Sequence, residues 1–268
     1  MQELDNREAP EIDPTRLTDA HRSGYLDALK SASPDSGLVA VDPDTSMGPF
    51  SLQAARRAAG AVVEATDQLL AGNSKRAFCA VRPPGHHAEA DVAMGFCFYN
   101  SIALGAQRAL ADPAIDRVAV LDFDVHHGNG TVDIFKDQPD VLVCSSFQHP
   151  YYPHRYADIE RDNIVNTPLS AGSGSRDFRY AVERDWLPAL ATHQPQMIFV
   201  SAGFDAHFRD HMSHFNLTET DYEWVTREIV RLATAHADGR IVSVLEGGYD
   251  LPALGASVSA HLRVLLGI

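Results

Sequence analysis

Five short apolar runs, Ala77–Val81, Val118–Phe123, Val141–Ser146, Met197–Ala202 and Ile241–Leu245, constrain this chain more than any other feature. Each has strand length, and β-branched residues dominate most of them, as in strands buried on both faces. Helical patterns lie between and around them, at about Asn100–Leu110, Ser175–Leu190, Thr218–His236 and Leu251–Leu266. Repeated strand then helix predicts an α/β fold: a mainly parallel sheet with helices on both faces. Upstream, the pattern predicts an irregular arm over the first 16 or so residues, a short helix around Leu17–Ala32, and a loop at Asp42-Pro43-Asp44 and Met47-Gly48-Pro49. A helix beginning at Ser51 places Leu52, Ala55, Ala59, Val62, Val63, Thr66 and Leu70 on one stripe and stops at Gly72-Asn73. No repeat or linker divides the chain, so the expectation is one domain over residues 1–268.

Ordinary connecting turns do not need the residues that follow these strands. The segments are Arg82-Pro83-Pro84-Gly85-His86-His87, Asp122-Phe123-Asp124-Val125-His126-His127-Gly128-Asn129-Gly130, Ser201-Ala202-Gly203-Phe204-Asp205 and Glu246-Gly247-Gly248-Tyr249-Asp250. Open parallel sheets bind ligands outside the carboxyl ends of their strands, so these segments should converge on one crevice. Asp124 and His126 are two apart and share a face if extended, and Asp205 can join them from another strand. Two oxygens and a nitrogen suit zinc or ferrous iron, and three protein ligands leave a position open for water and substrate. His86 or His87 beside such an ion could act as general base and then general acid. Tyr249, in a glycine-rich turn, could donate a hydrogen bond to a developing oxyanion.

Composition narrows the ligand. The chain has 22 Lys+Arg against 36 Asp+Glu, a net charge of −14, which argues against nucleic acid and anionic membranes and favours cationic ligands. With no long apolar run and no basic-then-apolar opening, a cytoplasmic protein is expected. Cys79, Cys97 and Cys144 are odd in number and sit in apolar runs, so buried reduced thiols are expected.

The four motifs resemble those of the histone deacetylase superfamily, more closely its bacterial class II-like members, the histone deacetylase-like amidohydrolases and acetylpolyamine amidohydrolases. The resemblance runs from about Thr18 to the C-terminus. It implies an arginase/deacetylase-like three-layer fold and hydrolysis of acylated lysine or a small acylated amine at one zinc. By resemblance, Asp124, His126 and Asp205 hold the zinc, His87 is the general base and acid, His86 its electrostatic partner, and Tyr249 the carbonyl-polarising phenol. Asp122 resembles the carboxylate that holds His86, and Asn129 the amide that orients His87 where other branches use a carboxylate. Asp122, Asp124, His126 and Ser146 resemble the ligands of a structural potassium site. Gly95-Phe96 resembles one wall of the acyl-lysine tunnel, with Tyr151 or Tyr152 opposite; Met212 lies near its mouth, where polyamine-preferring relatives carry an acid; Asp42 or Asp44 resembles the rim aspartate. The chain departs from the pattern by lacking the first strand, helix and loop, which predicts a more open rim and apolar surface that oligomerisation could bury. Rival readings are an acetylpolyamine deacetylase, an arginase-like ureohydrolase with two manganese ions, and a non-catalytic binder of acylated lysine.

Overall fold

A computed structural model describes residues 4–268. A 3-10 turn, Pro14–Asp19, precedes α1 (Ser23–Ala32), the hairpin β1 (Val39–Asp42) and β2 (Thr45–Met47), α2 (Ser51–Leu70), β3 (Arg76–Cys79), α3 (Ser101–Leu110), β4 (Val118–Asp122) and α4 (Asn129–Phe135). Then come β5 (Val141–Gln148), β6 (Ile164–Leu169), α5 (Ser175–Ala181), a π turn at Val182–Trp186, α6 (Leu187–His193), β7 (Met197–Ala202), α7 (Glu219–His236), β8 (Ile241–Leu245) and α8 (Leu251–Leu266). Six strands form one sheet in the order β3-β8-β7-β4-β5-β6, every pairing parallel.

All residues of β4, β5 and β7 are buried. Their alternation divides the interior: Val118 and Val120 pack with α2 and α3, while Ala119 and Leu121 pack with α7. This is the three-layer arrangement expected. The α2 stripe is buried at Leu52, Ala55, Ala59, Val62, Val63 and Thr66, with Leu70 half-buried at its end. Among the described residues no helix is long and apolar enough to cross a membrane. All three cysteines are free and buried.

Four local expectations are corrected. The helix expected at Leu17–Ala32 breaks at Ala20–Arg22, because His21 bridges the Glu89 carbonyl (2.9 Å) and the Asn100 N–H (2.9 Å), and Arg22 N–H donates to Ala90 O. The loop expected around residues 42–49 is the β1–β2 hairpin. Strand β6 leaves no apolar run in the sequence, since Asn166, Thr167 and Pro168 mask its pattern; as an edge strand it tolerates the proline. The helix expected from Ser175 is interrupted by the π turn and runs on to His193.

Where α7, β8 and α8 meet, His261 is fully buried between Thr226 Oγ1 (2.7 Å) and Ser243 Oγ (2.9 Å). Thr226 already donates to Tyr222 O, so His261 Nδ1 donates to it and Nε2 accepts from Ser243. Burial pushes this imidazole down to about 3. The folded value lies below the unfolded one, so the neutral ring's stabilisation is present above pH ~6.5 and is lost as pH falls, at roughly 1.4 kcal/mol per unit. Denaturant titrations between pH 6 and 4 should show a shallower loss of stability in His261→Gln by about that slope. An unchanged slope contradicts this assignment.

Candidate active site

The strand register places the chemistry at the carboxyl ends of the central strands. Asp122 is the Cα partner of Ser201 on β7 and of Ser145 on β5, and the Asp124, Asp205 and Glu246 loops leave adjacent strands. Among the described residues, Asp124, His126 and Asp205 are the metal-ligating side chains that converge, with ligand atoms all within 4.8 Å of one another. His126 Nδ1 lies 3.0 Å from Asp124 Oδ1 and 3.2 Å from Asp205 Oδ2. The remaining carboxylate oxygens are fixed by backbone: Gly247 N–H donates to Asp124 Oδ2 (2.8 Å) and Val125 N–H to Asp205 Oδ1 (2.9 Å). Asp205 Oδ2 is buried with no hydrogen-bond donor.

Those features fit a cation. Two carboxylates aimed at one buried point repel: burial and Asp124 push the Asp205 carboxyl up to about 6, with His126 opposing them. An ion there would give the undonated Asp205 oxygen a partner. Gly247 permits the close approach, since a Cβ on it would lie 2.2 Å from Asp205 Oδ2 and 2.6 Å from Asp124 Oδ2. Gly247→Ala should therefore displace two ligands and weaken metal binding by 10-fold or more, read by competition with a zinc indicator. Unchanged affinity would refute the ligand assignment.

Both adjacent histidines are buried, and their rings are held differently. His86 Nδ1 pairs with Asp122 Oδ2 at 2.9 Å; burial opposes its charge, but Asp122 and Asp124 outweigh that and raise it to about 10. His87 Nδ1 pairs with Asn129 Oδ1 at 2.7 Å. Burial pushes His87 well below its ordinary value, and the neighbouring His86 and His126 push the same way. One imidazole is thus kept charged and the other neutral, able to accept a proton. Glu246 sets this loop: its Oε2 accepts from Gly85 N–H (2.7 Å) and His86 N–H (3.1 Å), and its Oε1 from Ser201 Oγ (3.0 Å).

The aromatic residues expected to wall a tunnel lie beside the same histidines. Tyr151 stacks on His126 with ring centroids 5.7 Å apart, and its hydroxyl donates to Met212 O. Tyr152 meets His87 edge-on at 5.2 Å and His126 at 5.9 Å, so both tyrosines border the site. Opposite, Phe96 packs edge-on against Tyr249 at 6.2 Å. Gly95 (φ 57°) and Phe96 (φ 66°) are both left-handed, which Gly95 accepts freely and Phe96 does not. The hairpin holds them there: Gly95 N–H donates to Asp44 Oδ1 (3.1 Å) and Phe96 N–H to Thr45 Oγ1 (2.9 Å). Of the two aspartates considered for the rim, Asp44 touches this wall, while Asp42 Oδ1 accepts from Asp44 N–H.

Several contributors escaped the sequence reading. Asp210 is buried, and its Oδ2 accepts from Tyr249 N–H (2.6 Å) and Asp250 N–H (3.1 Å), anchoring the tyrosine turn. Ser145, the Cα partner of Asp122, offers its Oγ to Gly128 N–H at 3.4 Å; strand alternation directs the neighbouring Ser146 side chain to the other face. Glu89 pairs with Asn129 and Arg155. Only proximity in sequence to the quoted motifs could have flagged them.

Comparison with known proteins agrees with this geometry. A histone deacetylase domain model matches residues 1–265. The histone deacetylase-like amidohydrolase of Pseudomonas aeruginosa is 39% identical over 269 residues, covering 97% of this chain and 70% of that one. A probable deacetylase of Archaeoglobus fulgidus is 35% identical over 241 residues, covering 88% of this chain and 66% of its own length. The crystal structure of the HDA15 HD domain superposes with a TM-score of 0.91 at 35% identity, over 97% of this chain and 74% of that chain. With its parallel sheet, its converging triad and these matches over nearly its full length, the chain belongs to the histone deacetylase family.

Proposed function

We propose that the protein is a zinc-dependent amidohydrolase that removes acetyl or other acyl groups from lysine-like amines. The observation that carries this reading is the buried Asp124, His126 and Asp205 set beside a neutral His87 and within the electrostatic reach of Tyr249. Zinc held by these three would supply Lewis-acid polarisation of the amide carbonyl and of water. His87 Nε2 takes the proton from the attacking water and returns it to the leaving amine. His86, kept charged by Asp122, steadies the negative charge that builds beside it. Tyr249 donates its hydroxyl hydrogen to the oxyanion, and the rings of Phe96, Tyr151 and Tyr152 flank an acyl-lysine's methylene chain.

One converging triad supports a single ion, whereas the binuclear manganese alternative needs further bridging carboxylates. Met212 offers no anion to a secondary ammonium, which favours acyl-lysine over acetylpolyamine. The test is turnover of acetyl-lysine peptides, longer acyl-lysines and acetylpolyamines by the zinc-loaded chain, with and without chelator. Chelator-sensitive hydrolysis of acyl-lysine is expected; no turnover of any amide, alongside hydroxamate binding, would replace the enzyme with a binder.

A further inference from the structure

We infer that Glu89 and Arg155 are positioning residues that fix the orientation of the Asn129 amide and, through it, which nitrogen of His87 carries the proton. The inference rests on the function proposed above for the role of His87, but its geometric content stands separately. Asn129 is fully buried, and its two amide ends are nearly the same shape, so its orientation depends on its partners. Its Oδ1 faces His87 Nδ1 at 2.7 Å, and its Nδ2 faces Glu89 Oε1 at 2.7 Å, with weaker contacts to His87 O and Met94 Sδ at 3.3 Å each. A reversed amide would set its oxygen against the Glu89 carboxylate, acceptor against acceptor. An ionised Glu89 therefore forces the amide oxygen toward His87. That oxygen can only accept, so His87 must carry its hydrogen on Nδ1, leaving Nε2 bare.

The arrangement works only while Glu89 is ionised. Glu89 is 2% exposed, and burial raises its carboxyl, opposed by Asn129 and Arg155. Arg155 supplies the countercharge through two contacts, Nε to Oε1 at 2.7 Å and Nη2 to Oε2 at 2.8 Å. Its loop is tied down at the next residue: Tyr156 Oη donates to Asp133 Oδ1 at 2.8 Å, and Asn166 Nδ2 donates to Tyr156 O at 2.9 Å. The same segment carries Tyr151 and Tyr152, so the aromatic wall and the tautomer lock share one loop. An amide in place of a carboxylate beside His87 gives weaker orientation and less basicity, and the ion pair behind it restores the orientation alone.

The test combines kinetics with imidazole ¹⁵N spectra, the His87 signals being assigned by difference from His87→Gln. The parent should show a pyrrole-like Nδ1 and a pyridine-like Nε2 in the metal-free chain, a readout that needs no turnover. Glu89→Ala should mix the two tautomers and lower kcat about tenfold or more with KM within twofold. Glu89→Gln, whose amide can still present an oxygen to Asn129, should keep kcat within about threefold. Should Glu89→Ala fail to fold, Arg155→Met alters only a half-exposed side chain and should give a partial mixture and a loss of about threefold. A parent-like tautomer and kcat in Glu89→Ala, or in Arg155→Met if that is the variant that folds, overturns the inference. If the parent turns over no amide, the functional reading fails while the spectra still decide this one.

Discussion

Replacing Tyr249 by phenylalanine should lower kcat on an acetyl-lysine peptide by 10²- to 10³-fold, the size of effect seen when one oxyanion donor is removed. The substitution takes away a single oxygen. The ring keeps its place, because its backbone N–H is held by Asp210, Phe96 packs against it at a steep angle, and the Arg82 guanidinium lies 5.8 Å from its centroid. KM should therefore change little, as for an interaction made only in the transition state. Burial, with Asp205 and Asp124 adding to it, raises the phenol far above its ordinary value, so it remains a neutral donor throughout the working pH range. A Tyr249→Phe enzyme with parent kcat would remove the phenol from the mechanism.

The second large effect concerns Asp205. Its buried, undonated Oδ2 is the feature that most calls for a cation, so Asp205→Ala should lose stoichiometric zinc and with it essentially all hydrolysis. A readout independent of turnover is thermal stability. Zinc that binds only the folded chain should stabilise the parent by about 4 kcal/mol when free zinc is 1,000 times its Kd, and should raise Tm accordingly. In Asp205→Ala at the same zinc concentration that rise should vanish. An equal rise in both proteins would place the bound ion elsewhere.

Much of this was legible in the sequence because the strong signals are local. Buried parallel strands show as runs such as Met197–Ala202 and Ile241–Leu245, both observed with the expected limits. Chemistry-bearing residues immediately after such runs are committed by topology to the carboxyl ends of the strands, which is why the sequence alone groups Asp124, His126 and Asp205. What escaped depends on contacts distant in sequence. Strand β6 is polar and contains Pro168, and only its pairing with β5 defines it. The hairpin at Val39–Met47 reads as a loop because its strands are short and flank a proline-containing turn. Glu89, Asp210 and Glu246 support the site through hydrogen bonds to segments 40, 39 and 161 positions away, and no periodicity announces such a partner. In sequence Glu89 and Asp210 look like ordinary surface acids and Glu246 only like the start of the tyrosine turn, yet all three are buried.

The proposed mechanism requires one divalent ion among Asp124, His126 and Asp205. Anomalous diffraction recorded on both sides of the zinc absorption edge, from crystals of the metal-replete protein, tests it directly. One strong zinc-specific peak per chain between those three side chains is the predicted result. The absence of a peak there, or a peak at other residues with these three left bare, would contradict it.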